Sequence, residues 1–219
     1  QVGPWRIREG KGGGQRVSAA TCEAAFTHDD IDLAEQMMQE LGQESLFMIR
    51  DPDAELDAIL AQRGYEVVDP VAVYVGATDT MTADLSIATV LSHWPPLAVQ
   101  SEIWRGGGID RNRMAIMERC EVPKTSVLAR VGDVPAGTAF VACDGPYAMT
   151  HAIHVDEAVR RQGAGRRLMQ GSANWAKDRG AAWVCLAVTR ANETANSMYR
   201  SIGMEPIASY HYRRARGRK

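Results

Sequence analysis

The sequence predicts a mixed α/β protein, and three features of the chain support this prediction. Residues 148–155 and 182–188 are largely apolar runs of strand length. Each run is followed by an amphipathic pattern of helical spacing, which predicts the order strand, glycine turn, helix, strand, helix. Upstream, two further strand patterns flank Gly132-Asp133, a dipeptide typical of hairpin turns, so antiparallel strands are expected in the same sheet.

The composition is that of an ordinary folded protein. The 219 residues are 45% hydrophobic and 24% charged, with a formal net charge of −2. A chain of this length buries a core without disulfides or metals, and its charge gives no reason to expect a nucleic-acid partner. No segment has the roughly 18–20 apolar residues that span a bilayer, and no secretory apolar region opens the chain. We therefore expect no membrane association and a cytoplasmic location.

The four cysteines are far apart in the sequence and form no C-x-x-C pair; they are Cys22, Cys120, Cys143 and Cys185. This spacing favours neither a metal site nor a disulfide framework. We therefore predict that the protein binds no metal.

The basic segment 213–219 is the exception to an otherwise even distribution of charge. We expect a solvated, frayed tail there. Association with nucleic acid through this segment is the alternative.

The first 75 residues predict alternating helices and strands. Capping residues and glycine stops give the helix bounds, and apolar runs give the strands. The glycine cluster near the start lacks the Lys-Ser/Thr ending of a phosphate-binding loop, so it predicts a turn and no nucleotide site. The predicted elements are a turn over 10–14, a strand over 16–20, a helix from Asp29 to Gly42, a strand over 46–49, a helix from Asp53 to Gly64, and extended chain over 65–75 that breaks near Pro70.

Residues 78–146 predict two helices between strands. The run Gly106-Gly107-Gly108 separates the two helices because it breaks the first. The predicted elements are a strand over 86–91, a short helix after Pro95-Pro96, a second helix from Asp110 to Met117, and strands over 126–131 and 138–142.

A constant offset indicates an internal repeat. Gly64 and Gly203 lie 203 − 64 = 139 positions apart, and the same offset relates the apolar positions of the strand and helix that precede each glycine. Strand, helix, glycine and strand recur in the same order. Chance similarity of two amphipathic strand–helix units is the alternative. We predict two domains, a degenerate copy over 1–77 and an intact copy over 78–219 that carries the chemistry.

The turn after residues 148–155 has the chemistry of an anion site. Glycines allow backbone N–H groups to approach an oxygen-rich ligand, and the start of a helix adds the positive end of its dipole. Four residues flank the turn with permanent positive charge: Arg160, Arg161, Arg166 and Arg167. A solvated charge run is the alternative interpretation of these arginines.

Two motifs in this region resemble those of the GNAT superfamily of N-acetyltransferases. The first, Arg160-Arg161-Gln162-Gly163-Ala164-Gly165, is similar to the acetyl-CoA-binding pattern Arg/Gln-x-x-Gly-x-Gly/Ala. The second is Asn192-x-x-Ala195-x-x-x-Tyr199-x-x-x-Gly203-Met204. Occurring together and in order, they make a specific signal that covers residues 80–212. The resemblance implies a GNAT-like acyl-CoA N-acyltransferase fold, with a partial GNAT-like repeat in the first half.

The resemblance implies direct transfer of acetyl from acetyl-CoA, the co-substrate, to an amine. In the family, amides at the positions of 162–166 hold the CoA diphosphate, the splayed edge at 153–155 pairs with pantetheine, and the N–H at Val155 stabilises the oxyanion. Tyr199 matches the general acid that protonates the leaving thiolate; a packed tyrosine is the alternative. The implied cofactor-binding residues are Ile153, His154, Val155, Arg160, Arg161, Gln162, Gly163, Ala164, Gly165, Arg166, Asn192 and Tyr199.

The general base is less defined, because the chain has no carboxylate near Met149, where many relatives carry one. His151 matches a histidine of aralkylamine-acetylating relatives, and the ordinary histidine pKa of about 6.5 suits an acceptor of an ammonium proton. A histidine that only lines the cleft is the alternative. Strict alternation assigns Met149, His151, Ile153 and Val155 to one face of the strand, and Thr150, Ala152 and His154 to the other. The side chain of His154 is therefore expected to be structural.

Acceptor-binding residues are expected on the helices after Pro96. Glu102 and Trp104 are candidates to bind a cationic, partly apolar amine; a surface carboxylate and a core tryptophan are the alternatives. The expected partner is a small-molecule amine or a protein amine, and the oligomeric state, including a homodimer, stays open. A non-catalytic acyl-CoA-binding or regulatory protein is the second hypothesis, because the acidic base is missing.

Overall fold

The computed structural model describes residues 1–216 as alternating helices and strands, which confirms the predicted mixed α/β class. The strands are β1 Trp5–Arg6, β2 Thr21–Cys22, β3 Leu46–Arg50, β4 Glu66–Ala77, β5 Val90–His93, β6 Lys124–Val131, β7 Val134–Asp144, β8 Tyr147–Val155, β9 Trp183–Thr189 and β10 Glu205–Arg214. The α-helices are α1 Gln15–Ser18, α2 His28–Glu40, α3 Ala54–Gln62, α4 Thr78–Met81, α5 Ala98–Gly106, α6 Arg111–Arg119, α7 Ala164–Lys177 and α8 Glu193–Ser201, and a 3₁₀ turn covers Glu157–Val159.

The chain forms two compact units, each assembled from segments that are distant in sequence. The first comprises Gln1–Ala72, Thr189–Ala191 and the described residues from Ala208 onward. The second comprises Val73–Val188 and Asn192–Ile207. Strands β4 and β10 therefore contribute residues to both units. The predicted domains over 1–77 and 78–219 stay a prediction. The two compact units do not show whether the two halves arose from one ancestral sequence.

The first unit is built around an aromatic and aliphatic core. Trp5, Phe47 and Leu60 are fully buried in it, and the rings of Trp5 and Phe47 meet edge-on with centroids 5.3 Å apart. Its strands follow the order β3–β10–β4, with β10 antiparallel to β3, while β1 and β2 form a separate antiparallel pair. Helix α2 begins at a capping box formed by Thr27 and Asp30, so the cap is Thr27 and the helix starts before the two aspartates.

In the second unit, helices cover both faces of strands that follow the order β4–β9–β8–β7–β6–β5. Strands β8 and β9 run parallel, whereas β5, β6, β7 and β8 are joined by antiparallel pairs. Neighbouring residues of β7 identify the two faces. A Cβ on Gly137 would lie 3.2 Å from Leu168 of α7, whereas Thr138 accepts a hydrogen bond from Gln100 of α5. We call these the α7 face and the α5 face.

The repeated spacing persists in the structure. Helices α3 and α8 both have nine residues and begin 193 − 54 = 139 positions apart. Strands β4 and β10 begin 205 − 66 = 139 positions apart. The helix–strand order therefore recurs at the predicted offset. A tandem origin stays a prediction, because two unrelated α/β units can share this order.

Three local predictions are wrong. Residues 15–18 form a helical turn instead of the start of a strand, because Gly14 takes φ +96° and turns the chain at that point. Strand β4 passes Pro70 without a break, since Asp69 at φ +45° absorbs the change of direction. The strand predicted from residue 86 starts only at Val90, because the carbonyl of Ser86 closes a turn by accepting from the Val90 N–H at 3.0 Å.

The basic end is held by acidic partners, so the expected frayed tail is wrong for residues 213–216. Arg213 Nε lies 2.7 Å from Asp57 Oδ1, and its Nη1 donates to the carbonyl of Tyr65 at 3.0 Å. Arg216 Nε lies 2.6 Å from Glu66 Oε1. The prediction for 217–219 falls outside the described residues.

Within residues 1–216, no helix combines the length and the apolar character needed to cross a bilayer. In the same part of the chain, no three His, Cys, Asp or Glu side chains converge in a way that could hold a metal ion.

Candidate active site

The loop between β8 and α7 has the conformation of an anion-binding turn. Gly163 is the N-cap of α7 and takes φ +83°, a left-handed conformation that glycine adopts without strain. Because glycine has no side chain with which to cap the helix, the N–H groups of the first turn face outward. Helical bonding begins with Arg167 N, which donates to Gly163 O at 3.0 Å. The amides of residues 164–166 are therefore available to an anion.

The same loop has room for a diphosphate. A Cβ on Gly163 would meet no atom within 4 Å, so the backbone there borders open space. A Cβ on Gly165 would lie 3.6 Å from Met198 Cε, which is ordinary contact, so this glycine packs toward the protein. An open glycine beside outward-facing amides fits a ligand with many oxygens.

The arginines around the loop differ in whether their side chains already have partners within the protein. Arg160 pairs with Glu157 at 2.9 Å, and Arg167 donates to the carbonyl of Arg130 at 3.0 Å. Arg161 is exposed and takes φ +63°. The predicted loop residues that are exposed to solvent are Arg160, Arg161, Gln162, Gly163 and Arg166. Because Arg166 donates to Ser201 Oγ at 3.2 Å, Arg161 is the exposed loop arginine that makes none of these contacts.

Strand β8 separates from β9 partway along its length. Their parallel pairing runs from Tyr147↔Trp183 to Thr150↔Leu186 and stops there, although both strands continue. Within the described chain, residues 151–155 are paired with β7 on one edge and with no strand on the other. An open edge of this kind offers backbone donors and acceptors to an extended ligand. The splay that the family resemblance implied is present.

A β-bulge interrupts the regular pairing of β8 with β7. The register passes from Phe140↔His151 to Thr138↔His154, so β8 has two residues where β7 has one. Ala152, inside the bulge, takes φ +50°. The bulge lies beside the splay, so β8 is irregular on both edges over the same residues.

The bulge changes which side chains of β8 share a face. Phe140 and Thr138 both contact α5, so they lie on the α5 face. Antiparallel partners share a face, and His151 and His154 therefore lie together on the α5 face. The prediction that separates them is wrong, because the extra residue shifts the alternation by one. Val155, for the same reason, lies on the α7 face.

The backbone N–H of Val155 points into the splay. Asp156 N donates to Ala136 O at 2.9 Å, so Asp156 directs its amide toward β7. Successive residues of a strand direct their backbone groups to opposite edges, and Val155 therefore directs its own away from β7. On that side its carbonyl accepts from Arg160 Nε at 3.3 Å. The N–H of Val155 therefore points toward any ligand that binds between the separated strands β8 and β9.

Helix α5 is fixed to the sheet by two fully buried polar side chains. Gln100 accepts from Ser126 Oγ at 3.0 Å and donates to Thr138 Oγ1 at 3.1 Å. The Trp104 indole N–H donates to the carbonyl of Ala152 at 2.7 Å. Because Ala152 lies in the bulge, Trp104 holds the helix and the bulge together. Its complete burial favours this positioning role over contact with a substrate.

The imidazole of His154 packs against the end of α5. A Cβ on Gly107 would lie 2.4 Å from His154 Nδ1, so a side chain at that position would displace the ring. Burial, the largest cause, lowers the pKa of His154, and Arg160 lowers it further, while Asp156 and Glu157 raise it. The ring is therefore mainly neutral at neutral pH.

Tyr199 is held on the buried side of α8. It is only 5% exposed, and its ring centroid lies 5.8 Å from that of Tyr74 in β4. Asn192 is the N-cap of α8 and accepts from Ala195 N at 3.1 Å. Asn196 accepts from the Tyr74 hydroxyl at 3.0 Å and donates to Asn192 O at 2.7 Å. Asn192 and Ala195 of the second motif therefore have a structural role, because their hydrogen bond caps the start of α8.

Sequence reasoning missed three residues that shape this region, namely Gln100, Gly107 and Tyr74. The glycine run at 106–108 was the available signal for Gly107, because it exceeds what is needed to end a helix. The other two gave no local signal, since their partners are distant in sequence. Glu102, predicted to bind the acceptor, is exposed on α5 in the same region.

The first unit contains a cavity of about 320 Å³ between the loop before α2 and the start of α3. Its lining includes Glu23, Asp53 and Glu55 and no basic side chain. The nearby Arg50 is already paired with Asp53 at 2.9 Å. At the predicted offset of 139, the lining segments 22–26 and 52–56 correspond to positions 161–165 and 191–195. Its carboxylates repel a diphosphate, so it does not suit CoA.

Comparisons with known proteins agree with this geometry. The sequence model described as "Acetyltransferase (GNAT) family" matches residues 93–204, slightly more than half of the chain. A Bacillus subtilis (strain 168) protein, described as the uncharacterized N-acetyltransferase YobR, is 29% identical over 224 residues. That similarity covers 97% of this chain and 90% of the relative.

Solved structures share the fold at low sequence identity. A GCN5-related N-acetyltransferase from Kribbella flavida has a TM-score of 0.68 and 18% identity, over 94% of this chain and 84% of its own. A conserved protein of unknown function from Staphylococcus epidermidis has a TM-score of 0.71 and 12% identity, over 97% and 91%. A tandem GNAT protein from the clavulanic acid biosynthesis pathway has a TM-score of 0.66 and 13% identity, over 90% and 74%.

Proposed function

Because the chain belongs to the acetyltransferase (GNAT) family and is thus an N-acetyltransferase, we propose that it transfers acetyl from acetyl-CoA to a primary amine by direct attack in a ternary complex. The observation that carries this proposal is the open edge of β8 beside the uncapped start of α7. One region can then bind a diphosphate and align a thioester arm along a strand edge.

Acetyl-CoA is proposed as the co-substrate. The amides of residues 162–166 would hold its diphosphate, with the exposed guanidinium of Arg161 beside them. The pantetheine arm carries amide groups that can pair with the backbone of 151–155 as an added strand. The thioester would then lie near the N–H of Val155. The open space beside Gly163 and the direction of the Val155 amide both support this arrangement.

The proposed chemistry needs no acyl-enzyme. The amine nitrogen bonds to the thioester carbon, and the carbonyl oxygen becomes an oxyanion that the Val155 N–H stabilises; losing one such donor typically costs about 3 kcal/mol. The C–S bond then breaks, and Tyr199 gives its phenolic proton to the leaving thiolate. The proton lost by the nitrogen restores the phenol through solvent, so the products are an amide and free CoA.

The proposed acceptor is a small-molecule amine or a protein amine that approaches from the α5 face. Helix α7 covers the opposite face, as the contact of Gly137 with Leu168 indicates. The exposed carboxylate of Glu102 lies on α5 and would attract an ammonium group. The family resemblance implies His151, on the same face, as a base acting directly or through water, and a histidine that only lines the cleft is the alternative.

Thiol release from acetyl-CoA, measured across a panel of primary amines, tests the proposal. We expect release that depends on the amine and produces the acetylated amine. The second hypothesis, a non-catalytic acyl-CoA-binding protein, is motivated by the lack of a carboxylate near Met149. It predicts binding of acetyl-CoA with no release for any amine, and that result would remove the proposed function.

A further inference from the structure

We infer that His154 is the general base that removes the proton from the acceptor ammonium. The inference rests on the proposed acetyl transfer and adds to it the residue that prepares the nucleophile. It depends on the bulge in β8, because regular alternation would turn the His154 side chain to the α7 face, away from the acceptor.

The position of His154 suits this role. It directly precedes Val155, whose N–H points into the splay toward the proposed thioester oxygen. The His154 side chain lies on the α5 face, beside the end of α5 and opposite the face that α7 covers. The proposed base, His154, and the proposed oxyanion donor, the N–H of Val155, therefore belong to adjacent residues.

The end of α5 packs against the ring of His154. Its atoms nearest to a Cβ built on Gly107 are Nδ1 at 2.4 Å, Cγ at 2.5 Å and Cε1 at 2.6 Å. These three distances are nearly equal, so Gly107 lies over one face of the ring and leaves free the in-plane direction in which a ring nitrogen accepts a proton. Residues 1–216 provide no hydrogen-bond partner to either ring nitrogen, and the side chain is half-buried. Nε2 is thus available to an incoming ammonium group.

The surroundings keep the ring in its proton-accepting form. From α5 the ring meets Gly107 and from β7 it faces Thr138, and both are uncharged. The charges that act on it come from the segment after β8, where Arg160 opposes Asp156 and Glu157. Since burial outweighs these charges, the pKa lies below that of an ordinary histidine. A neutral imidazole is the form that can take a proton.

The proton step balances without a further reactant. The N–H bond of the ammonium breaks and its proton moves to Nε2, which leaves a neutral amine with a free electron pair. That pair forms the C–N bond with the acetyl carbon. The imidazolium returns its proton to solvent before the next turnover.

The pH dependence of kcat/KM tests the inference, with His93→Gln as the control, because His93 is exposed on β5 and has no role in the proposed site. For the wild type we expect a fall at low pH that follows one ionisation. His154→Gln should lower kcat/KM by about 10²-fold at pH 7, the low end of general-base effects. Its activity should recover as pH rises toward the value at which the amine loses its own proton. His93→Gln should keep the wild-type profile.

If kcat/KM still falls at low pH in His154→Gln but no longer falls in His151→Gln, the base is His151 and the inference is overturned. A fall that survives in both variants would overturn it as well. If the wild type releases no thiol with any amine, the proposed function fails and this inference fails with it. A failure of the inference alone leaves an active wild type.

Proton NMR of the unmodified protein provides a second test that does not depend on a variant that folds. The chain has five histidines, so their ring signals can be assigned and titrated. The pKa of His154 should equal the kinetic pKa of the low-pH fall in kcat/KM. A His154 pKa that differs from the kinetic value would contradict the assignment.

Discussion

The ring of Tyr74 lies 5.8 Å from the ring of Tyr199, with the two planes tilted by 49°. The hydroxyl of Tyr74 donates to Asn196, which in turn donates to the carbonyl of Asn192 at the start of α8. Strand β4 thus fixes both the rotation and the first turn of the helix that carries the proposed acid. Tyr74 precedes the stretch that matches the family, residues 93–204. The proposed acid therefore depends on a residue outside the motif.

Replacing Tyr199 with Phe should lower kcat by roughly 10²-fold or more and leave the affinity for acetyl-CoA nearly unchanged. The phenyl ring preserves the packing against Tyr74, so only the proton donor is lost. Steady-state kinetics and isothermal titration calorimetry with acetyl-CoA measure the two effects. Tyr147→Phe is the control, because that tyrosine is 55% exposed at the start of β8, outside the splay. An unchanged kcat for Tyr199→Phe would place the acid elsewhere.

Replacing Gly163 with Leu should weaken acetyl-CoA binding about tenfold or more, which corresponds to about 1.4 kcal/mol. The side chain would occupy the space over the first-turn amides. Gly203→Leu is the matched control, because Gly203 takes φ +84° against +83° for Gly163, and a Cβ on either meets no atom within 4 Å. Both substitutions should reduce stability by a similar amount, about 1–2 kcal/mol for a left-handed residue. Equal acetyl-CoA affinity in the two variants would exclude the loop from diphosphate binding.

Replacing Asp57 with Asn should destabilise the protein at pH 7 by about 1–2 kcal/mol, since two part-exposed charge-assisted contacts are lost. The hydrogen bond from Arg213, the largest cause, lowers the pKa of Asp57, and His211 lowers it further against the effect of burial. A lowered folded-state pKa stabilises the fold above the usual aspartate pKa, about 3.8, and this contribution disappears as pH falls through the folded value.

Urea denaturation at pH 7 and near pH 2 measures this contribution. The two proteins should differ in the free energy of unfolding at pH 7 and converge in acid. Asp133→Asn is the control, because its ion pair with Arg130 spans 3.8 Å at a fully solvated side chain and should contribute nothing measurable. A difference that persists undiminished near pH 2 would mean that the effect is not electrostatic.

The chain should bind one acetyl-CoA and not two. In the first unit, Glu23, Asp53 and Glu55 line the cavity that the predicted repeat relates to the proposed cofactor site, and they oppose a diphosphate. Calorimetric titration of the intact chain should give one site per chain, and Gly163→Leu should weaken that site without revealing another. Two sites of similar affinity would show that the first unit also holds the cofactor.

The sequence predicts the second unit well where the signals are local. The apolar runs that become β8 and β9, the glycine at position 163 and the apolar face of α8 all lie within short windows. The bulge could not be predicted, because it is decided by the register between β8 and β7 and not by the composition of either strand. Because of the bulge, the His154 side chain lies on the same face as His151 and not on the opposite face, which changes the role inferred for it.

The basic end shows the same limitation at longer range. A run of arginines is typical of a solvated tail, but Arg213 forms a hydrogen bond with Asp57, which lies 156 positions earlier in the chain. Charge patterning alone does not reveal such a pair, since both members look like ordinary surface residues. The roles of His151 and Glu102, the cytoplasmic location and the oligomeric state remain predictions.

The pairing of β10 with β3 has a consequence for biosynthesis. Residues 46–50 emerge from the ribosome early, but their partners, 210–214, are translated about 160 codons later. At ordinary elongation rates this interval lasts roughly 10–30 s. During that time the edge of β3 that pairs with β10 has no native partner. Nascent-chain protection of this strand edge therefore matters until the last strand is translated.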